Sequence, residues 1–223
     1  MSYLRYVKVI GTVHVLPESV EEVRRSILQE SPDAVAIELD YGRLMALLGR
    51  EELTLAQALK LGRVGILGYI LQEIEKFLGK DFGALPGEEM IEAYELATSL
   101  GIPIYLIDQP VQITLQKLLS GPRIEILRGL AEVVLLPFSG REVDIRDYRL
   151  LEHEFRIKYP YFYKVLVEER NIYMARNLMM IVDSILTKKK KAKVIAVVGL
   201  GHKRGIERIL NRYTPRALKS MSL

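Results

Sequence analysis

The sequence predicts an α/β fold with a mostly parallel central sheet flanked by helices, and a long helical insertion before the last core strand. Four short apolar runs rich in β-branched residues predict the strands: Val7 to Ile10, Ala34 to Leu39, Ile102 to Ile107 and Lys193 to Val198. None of these runs alternates polar with apolar residues, as a strand with one solvated face does. Segments with helical spacing of apolar residues lie between the runs. We therefore expect helices on both faces of the sheet.

The segment between the first two strands predicts the helix of a βαβ unit. Pro17 suits a first helical turn, and Pro32 ends the helical pattern. Apolar residues recur between them at the spacing of one helical face, namely Val20, Val23, Ile27 and Leu28.

A second helix precedes the third strand, with Gly101 as its stop signal and Pro103 at the entry to the strand. Leu53 to Lys80 has a helical pattern interrupted by glycines. From Val111 to Leu186 no strand pattern occurs, so we expect a helical insertion over about 111–187, with its last helix from about Tyr161 to Leu186. A further strand after Tyr213 remains open. Since no linker-like segment is visible, we expect a single domain over residues 1–223.

Composition limits the classes of function. The chain of 223 residues has no cysteine, which excludes a disulfide scaffold, a thiolate metal site and a cysteine nucleophile. The net charge of +4 is too small to indicate nucleic acid, and the lysine run at Lys188 to Lys193 lacks interleaved aromatic residues. No secretory leader or stretch of membrane-spanning length is visible. We expect a cytoplasmic protein, or the cytoplasmic domain of a membrane-associated one, that binds no nucleic acid.

The same Gly-x-x-His motif occurs near both ends of the chain. Gly11 and His14 form the first copy in "KVIGTVHVLPESVEEV", and Gly199 and His202 form the second in "KVIAVVGLGHKRGIERI". Each copy ends a predicted strand and precedes a predicted helix. A chain with three histidines thus places two of them in the same local setting.

Ionisable residues follow all four predicted strands: His14, Glu38, Asp108 and His202. Ligands of open α/β sheets gather at the carboxyl ends of the strands. Two imidazoles with carboxylates suit a divalent metal with open positions for water. Glu38 directly follows four apolar residues, where a purely structural glutamate would need a buried partner. Asp108, in "IDQP", is equally typical of a turn or helix cap.

Polar residues interrupt the apolar face of the last insertion helix at Glu169, Arg170 and Asn171. A Glu–Arg pair in such a helix is most often structural. An arginine fixed by a neighbour also orients or stabilises substrate oxygens in enzymes. The third histidine, His153, lies in a highly charged amphipathic helix and is expected at the surface.

Five segments together resemble the TraB (PrgY) family, which is related to the GumN and Tiki proteins and more distantly to erythromycin-esterase-like proteins. They are "VIGTVHVLPESVEEVRRSI", "VAIELD", "LPGEEMIEAYELATSLGIPIYLIDQPVQITL", "VEERNIYMA" and "VVGLGHKRGI". The resemblance implies an α/β core and a metal-dependent hydrolase, peptidase-like by analogy with Tiki. It places the family's motif residues on His14, His202, Glu38, Glu169 and Arg170. The TraB branch is associated with shutdown of peptide pheromone signals.

The chain departs from the family pattern in two places. Gln109 stands where the family usually has an arginine after the aspartate. If that arginine binds an anionic group of the substrate, this chain lacks it or supplies it from elsewhere, for instance from Arg170. Many relatives continue into a carboxyl-terminal membrane segment, so membrane association is expected through a segment that this chain does not contain.

These patterns lead to a metal-dependent hydrolase of a peptide or amide bond as the first hypothesis. A divalent ion (Mn, Co or Zn) would be held by His14 and His202, with Glu38 as ligand or general base and Glu169 as a further ligand or orienting group. Arg170 and Asp108 would act in catalysis, with Arg170 on the developing oxyanion. Close backbone approach and substrate contact are expected at a separate set of residues: Gly11, Asn171, Gly199 and Gly201.

Two alternatives remain open. One is a metal-free, esterase-like hydrolase in which a histidine is the general base. The other is a peptide-binding or regulatory module of the pheromone-shutdown type that performs no chemistry. The expected partner is a peptide or other small substrate, and the amphipathic insertion favours a homodimer.

Overall fold

A computed structural model gives the fold of residues 1–12, 17–49, 54–62, 65, 68–69, 87–135 and 148–216. The four predicted strands are present as β1 (Val7–Thr12), β2 (Ala34–Ile37), β3 (Ile104–Leu106) and β4 (Val194–Gly199). They form one parallel sheet in the order β1-β4-β2-β3. The α/β prediction is therefore confirmed. The third strand begins later than expected, after Pro103, which has no N–H for the ladder.

The helices of the described residues follow one another along the chain as α1 (Pro17–Glu30), α2 (Tyr41–Gly49), α3 (Leu55–Lys60), α4 (Glu88–Ser99), α5 (Val111–Leu119), α6 (Arg123–Leu135), α7 (Tyr148–Lys158), α8 (Pro160–Tyr163), α9 (Glu169–Leu186) and α10 (Leu200–Arg212). A 3₁₀ turn, Tyr3–Arg5, precedes β1, and a π-helical turn, Lys164–Glu168, joins α8 to α9.

The chain divides into two compact units, and the sheet lies in the first. This unit comprises Met1–Glu52, Glu75–Val111 and Arg170–Leu223. Helices α1 and α4 cover one face of the sheet, where Ile27 and Met90 pack against Ile195 and Val197. Helices α9 and α10 cover the other face. Because both faces are buried, the strands show no alternation of polar and apolar residues.

The apolar cluster under α9 and α10 explains why these two helices lie on the sheet. Met174, Leu178 and Val182 of α9 are fully buried, as are Ile206 and Leu210 of α10. Their spacing of four residues puts each set on one helical face. Much of α9, which was predicted as the end of the insertion, therefore belongs to the unit that contains the sheet.

The second unit is helical and comprises Leu53–Ile74 and Gln112–Glu169. Glu125 of α6 is buried and accepts hydrogen bonds from the N–H groups of Tyr161 and Phe162, at 3.2 and 3.1 Å. This carboxylate satisfies donors at the start of α8, which begins with Pro160. The long helix predicted from about Tyr161 to Leu186 is helical throughout, with the π-helical turn Lys164–Glu168 between α8 and α9.

Several sequence-based predictions fall outside the described residues. They are most of the helical pattern between residues 63 and 86, the insertion residues 136–147, and any strand formed by residues 217–223. Among the helices that are described, none is long and apolar enough to span a membrane.

We predict that Leu178→Ala lowers the free energy of unfolding by about 2–5 kcal/mol, because it leaves a cavity between α9 and the sheet. Met180→Ala is the matched control on the same helix. Its side chain is 69% exposed, so its effect should stay within about 0.5 kcal/mol. Urea denaturation measures both, and equal effects would contradict the placement of Leu178 against the sheet.

Candidate functional site

Glu38 lies at the carboxyl end of β2 and projects towards α9 and α10. Its backbone N–H continues the ladder with β4 by donating to the Val197 carbonyl at 3.0 Å. Ala36, two residues earlier, packs in the cluster under α9 and α10, and alternate strand residues share a face. Glu38 is 5% exposed. The buried partner that we expect for this carboxylate therefore lies on α9 or α10.

Arg170, at the start of α9, joins two strand ends. Its Nε donates to Asp108 Oδ1 at 3.0 Å, and its Nη2 donates to Asp108 Oδ2 at 2.7 Å and to Glu38 Oε1 at 2.6 Å. Burial alone would lower the pKa of Arg170, but the charges and hydrogen bonds of Glu38 and Asp108 outweigh it and raise that pKa above its ordinary value. The guanidinium is thus a permanent cation between two carboxylates.

Asp108 follows β3 and anchors the Arg170 guanidinium through two parallel hydrogen bonds. Its Oδ1 also accepts the N–H of Gln109 at 2.8 Å, and Arg43 Nη1 of α2 lies 3.7 Å from its Oδ2. The sequence left Asp108 open as a turn residue or a site residue. In the structure it accepts the N–H of the next residue, as a turn residue does, and it also binds Arg170.

The second oxygen of Glu38 reaches the turn between β4 and α10. Gly199 donates its backbone N–H to Glu38 Oε2 at 2.8 Å. Gly199 is the residue that precedes α10, where the partial positive charge of the helix favours a carboxylate. Glu38 therefore links the ends of β2 and β4.

His202 lies in the first turn of α10 and is 7% exposed. Its Nε2 is 3.3 Å from Glu38 Oε1, and its Nδ1 is 2.8 Å from Oδ1 of Asn171. An amide oxygen accepts but does not donate, so a proton on Nδ1 would complete a hydrogen bond to Asn171. The Nε2 nitrogen then faces Glu38.

The structure thus brings six predicted site residues together: Glu38, Asp108, Arg170, Asn171, Gly199 and His202. Within this group, the side chain of Asn171 contacts His202. The arrangement is a buried chain of alternating charge and hydrogen bonds along the carboxyl ends of β3, β2 and β4.

The remaining predicted residues lie elsewhere or outside the described part of the chain. His14 is outside the described residues. Glu169 belongs to the second unit, where it pairs with Lys117 at 2.6 Å. Gly11 in β1 is closely approached by α10, since a Cβ there would lie 2.8 Å from Lys203 Cδ. Gly201 lies in the first turn of α10.

Two buried acidic residues near the strand ends, Asp40 and Glu89, were not identified from the sequence. Asp40 accepts the N–H groups of Gly42 and Arg43 at 2.7 and 3.1 Å and so fixes the start of α2. An aspartate just before a helical segment is a cap signal that was available in "ELDYGR". Glu89 of α4 is 1% exposed and contacts Thr12 Oγ1 at 3.2 Å, and no sequence signal separates it from its exposed neighbour Glu88.

Two of the side chains predicted to hold a metal have the spacing of neighbouring ligands. A tetrahedral ion with bonds of about 2.0–2.2 Å holds its ligand atoms roughly 3.3–3.6 Å apart. His202 Nε2 and Glu38 Oε1 are 3.3 Å apart. The hydrogen bond from Nδ1 to Asn171 is the second contact that metal-binding histidines usually make. Within the described residues, His14 not being among them, no group of three or more candidate ligand side chains is arranged for a metal.

Comparison with known proteins gives a family match at the carboxyl-terminal part of the chain. The TraB/PrgY/gumN family model matches residues 138–218, which include Arg170, Asn171 and His202.

Relatives align with 91% of this chain. An uncharacterized protein of Methanocaldococcus jannaschii is 36% identical over 215 residues, which make up 53% of that protein. TraB domain-containing proteins of Homo sapiens and Mus musculus are 27% and 26% identical over 234 residues, or 62% of their length. The chain therefore spans between half and two thirds of the relatives it matches.

We predict that Asp108 and Arg170 are energetically coupled. Asp108→Asn and Arg170→Met should each destabilise the fold by leaving a buried charge without its partner, while the double variant loses less than the sum. The expected coupling is roughly 1–3 kcal/mol by urea denaturation. The half-exposed pair of Lys8 and Glu30 is the control, with a coupling of at most about 1 kcal/mol. If the losses of stability in the two single variants simply add in the double variant, the predicted coupling of Asp108 and Arg170 is wrong.

Proposed function

The chain belongs to the TraB/PrgY/gumN family, and we propose that it is a hydrolase of peptide or amide bonds that uses a divalent metal. The observation that carries the proposal is the approach of His202 Nε2 to Glu38 Oε1, with the other imidazole nitrogen fixed by Asn171. This arrangement would suit a metal-binding histidine with a carboxylate beside it.

His202 and Glu38 would hold the metal, with His14 as a further predicted ligand. The metal would lower the pKa of a bound water and polarise the substrate carbonyl. Glu38 accepts hydrogen bonds from Arg170 and from the Gly199 N–H, an arrangement that suits a ligand or electrostatic partner better than a mobile base.

Arg170 would contribute fixed positive charge at the site. Two of its nitrogens hold Asp108 and Glu38, so the position of the guanidinium is determined before substrate binds. Preorganised charge of this kind stabilises the oxyanion that forms when water adds to a carbonyl carbon. The C–N bond then breaks, and the leaving amine takes up the proton that the attacking water has lost.

One observation favours a second candidate, the metal-free hydrolase. The Arg170 cation lies 2.6 Å from the Glu38 oxygen that a metal would share, and two cations on one oxygen repel each other. In this candidate His202 takes the proton of the attacking water, and Glu38 stabilises the imidazolium that results.

We predict that chelator-treated protein binds about one Mn²⁺, Co²⁺ or Zn²⁺ per chain, because His202 and Glu38, with His14 as a further predicted ligand, would hold the ion. His202→Ala and Glu38→Gln should weaken this binding at least about tenfold. His153→Ala, which removes an exposed histidine of α7, is the matched control and should bind as the wild type does. Calorimetric titration measures the four proteins.

A mixed peptide library analysed by mass spectrometry tests the reaction. Cleavage that stops with chelator and returns with metal supports the metal-dependent proposal. Cleavage that survives chelation but is lost in His202→Ala supports the metal-free candidate. Peptide binding without cleavage, equal in wild type and Glu38→Gln, contradicts both and favours the binding module.

A further inference from the structure

Five lysines stand within six residues at the entrance to β4, at the edge of the sheet opposite the candidate site. They are Lys188 to Lys191 and Lys193, between the end of α9 and the start of β4. All strands of a parallel sheet begin at one edge and end at the other. Glu38 and Gly199 mark the ends of β2 and β4, so the lysine run occupies the amino-terminal edge.

Two of the lysines fasten this run to the entrance of the neighbouring strand. Asp33, just before β2, accepts hydrogen bonds from Lys189 Nζ and from the backbone N–H of Lys193, the second at 2.9 Å. Lys193 Nζ donates to the Glu30 carbonyl at 3.1 Å. The backbone of the run is therefore held at the sheet edge, and its positive charge has a fixed position there.

The other three lysines have no evident structural role. Lys188, Lys190 and Lys191 are exposed, and within the described part of the chain they form no ion pair. Positive charge at the end of a helix stabilises it, but this effect is confined to the last turn, and α9 ends at Leu186. Neighbouring like charges also repel each other and oppose folding. Support of α9 therefore does not account for the whole run.

Exposed cationic and aromatic residues from other elements lie at the same edge. Arg5 precedes β1, and the carbonyl of the next residue, Tyr6, accepts the N–H of Val194 in β4 at 2.8 Å. Tyr213 follows α10, and its carbonyl accepts the N–H of Tyr3 at 3.0 Å. Arg5 is exposed and Tyr213 is 56% exposed. We call this surface the basic edge, and it comprises Arg5, Lys188 to Lys191, Lys193 and Tyr213.

An anionic membrane surface is the partner whose chemistry fits the basic edge. Clusters of about four to eight basic residues bind anionic lipid headgroups by long-range attraction, which requires no shaped pocket. Tyrosine favours the lipid–water boundary because its ring is apolar and its hydroxyl is polar. Nucleic acid fits less well, because surfaces that bind it combine arginine forks with stacking aromatic rings, and the run consists of lysines without interleaved aromatics.

We propose that the basic edge docks the chain on an anionic membrane surface, with the candidate site at the opposite edge of the sheet, away from the lipid. This proposal goes beyond the proposed function and does not rest on it, because attachment to lipid requires neither a metal nor hydrolysis.

Co-sedimentation with lipid vesicles tests the proposal. The chain should bind vesicles of phosphatidylcholine and phosphatidylserine in a two-to-one ratio but not vesicles of phosphatidylcholine alone, and added salt should weaken the binding by screening the charges. The triple variant Lys188→Gln, Lys190→Gln, Lys191→Gln should bind at least about tenfold more weakly, since each lysine near such a surface contributes roughly fivefold. Its urea midpoint should not fall, because no ion pair is removed.

The matched control is a second triple variant, Lys60→Gln, Arg123→Gln, Lys164→Gln. It removes the same charge from exposed residues of the second unit, and it should bind the mixed vesicles within about twofold of the wild type. Equal weakening in the two triple variants would show that net charge alone attracts the chain, which would overturn the proposal.

Single-cysteine labelling tests which edge of the sheet meets the lipid. Because the chain has no cysteine, Tyr213→Cys and Tyr41→Cys each provide one attachment point for an environment-sensitive dye. Tyr41 is the matched control, since it is 70% exposed and lies three residues beyond Glu38 at the carboxyl edge. On mixed vesicles the emission of the dye should move to shorter wavelength at residue 213 and stay unchanged at residue 41.

Three further results would overturn the proposal. They are the absence of binding to the mixed vesicles, a dye response at residue 41 as large as that at residue 213, and binding of single-stranded RNA that depends on the three lysines while vesicle binding does not. The last result would assign the basic edge to nucleic acid. Because neither hydrolysis nor metal binding is measured, failure of the proposed function would leave these results standing.

Discussion

The Arg170 guanidinium, shared by the carboxylates of Asp108 and Glu38, is the interaction on which the candidate site depends. Both carboxylates contact the same nitrogen, so they lie close enough to repel each other in a buried setting. Arginine suits this position because its planar fork binds Asp108 through two hydrogen bonds while Nη2 also reaches Glu38. Removal of the guanidinium would leave two like charges buried beside each other. Arg170 therefore both positions the two carboxylates and balances their charge.

The strand order makes this contact available. Strand β4, formed near the end of the chain, inserts between β1 and β2, so the turn before α10 lies next to Glu38. The third strand adds Asp108 on the far side of β2. Residues far apart along the chain thus meet at one edge of the sheet, and α9 supplies the arginine and asparagine that connect them.

Sequence patterns were sufficient for the strands and for the edge at which site residues gather, because buried parallel strands are continuous apolar runs and their carboxyl ends share an edge. They were also sufficient to single out Glu38, whose charge follows a buried run. They could not identify Arg170 as the partner of Glu38, because the adjacent Glu169 was an equally plausible partner for that arginine. In the structure Glu169 pairs with Lys117 instead. Nor could they show that Gly205 of α10 lies against Asn171, where an added Cβ would be 2.2 Å from Asn171 Nδ2, because no local pattern encodes that distance.

The most direct test of the account is anomalous X-ray scattering from crystals of the chain soaked in Mn²⁺ or Co²⁺. The account predicts one anomalous peak within bonding distance of His202 Nε2 and Glu38 Oε1, with Arg170 still bound to Asp108. A peak elsewhere, or a protein that binds no ion while His202 and Glu38 keep their positions, would contradict the metal-dependent site.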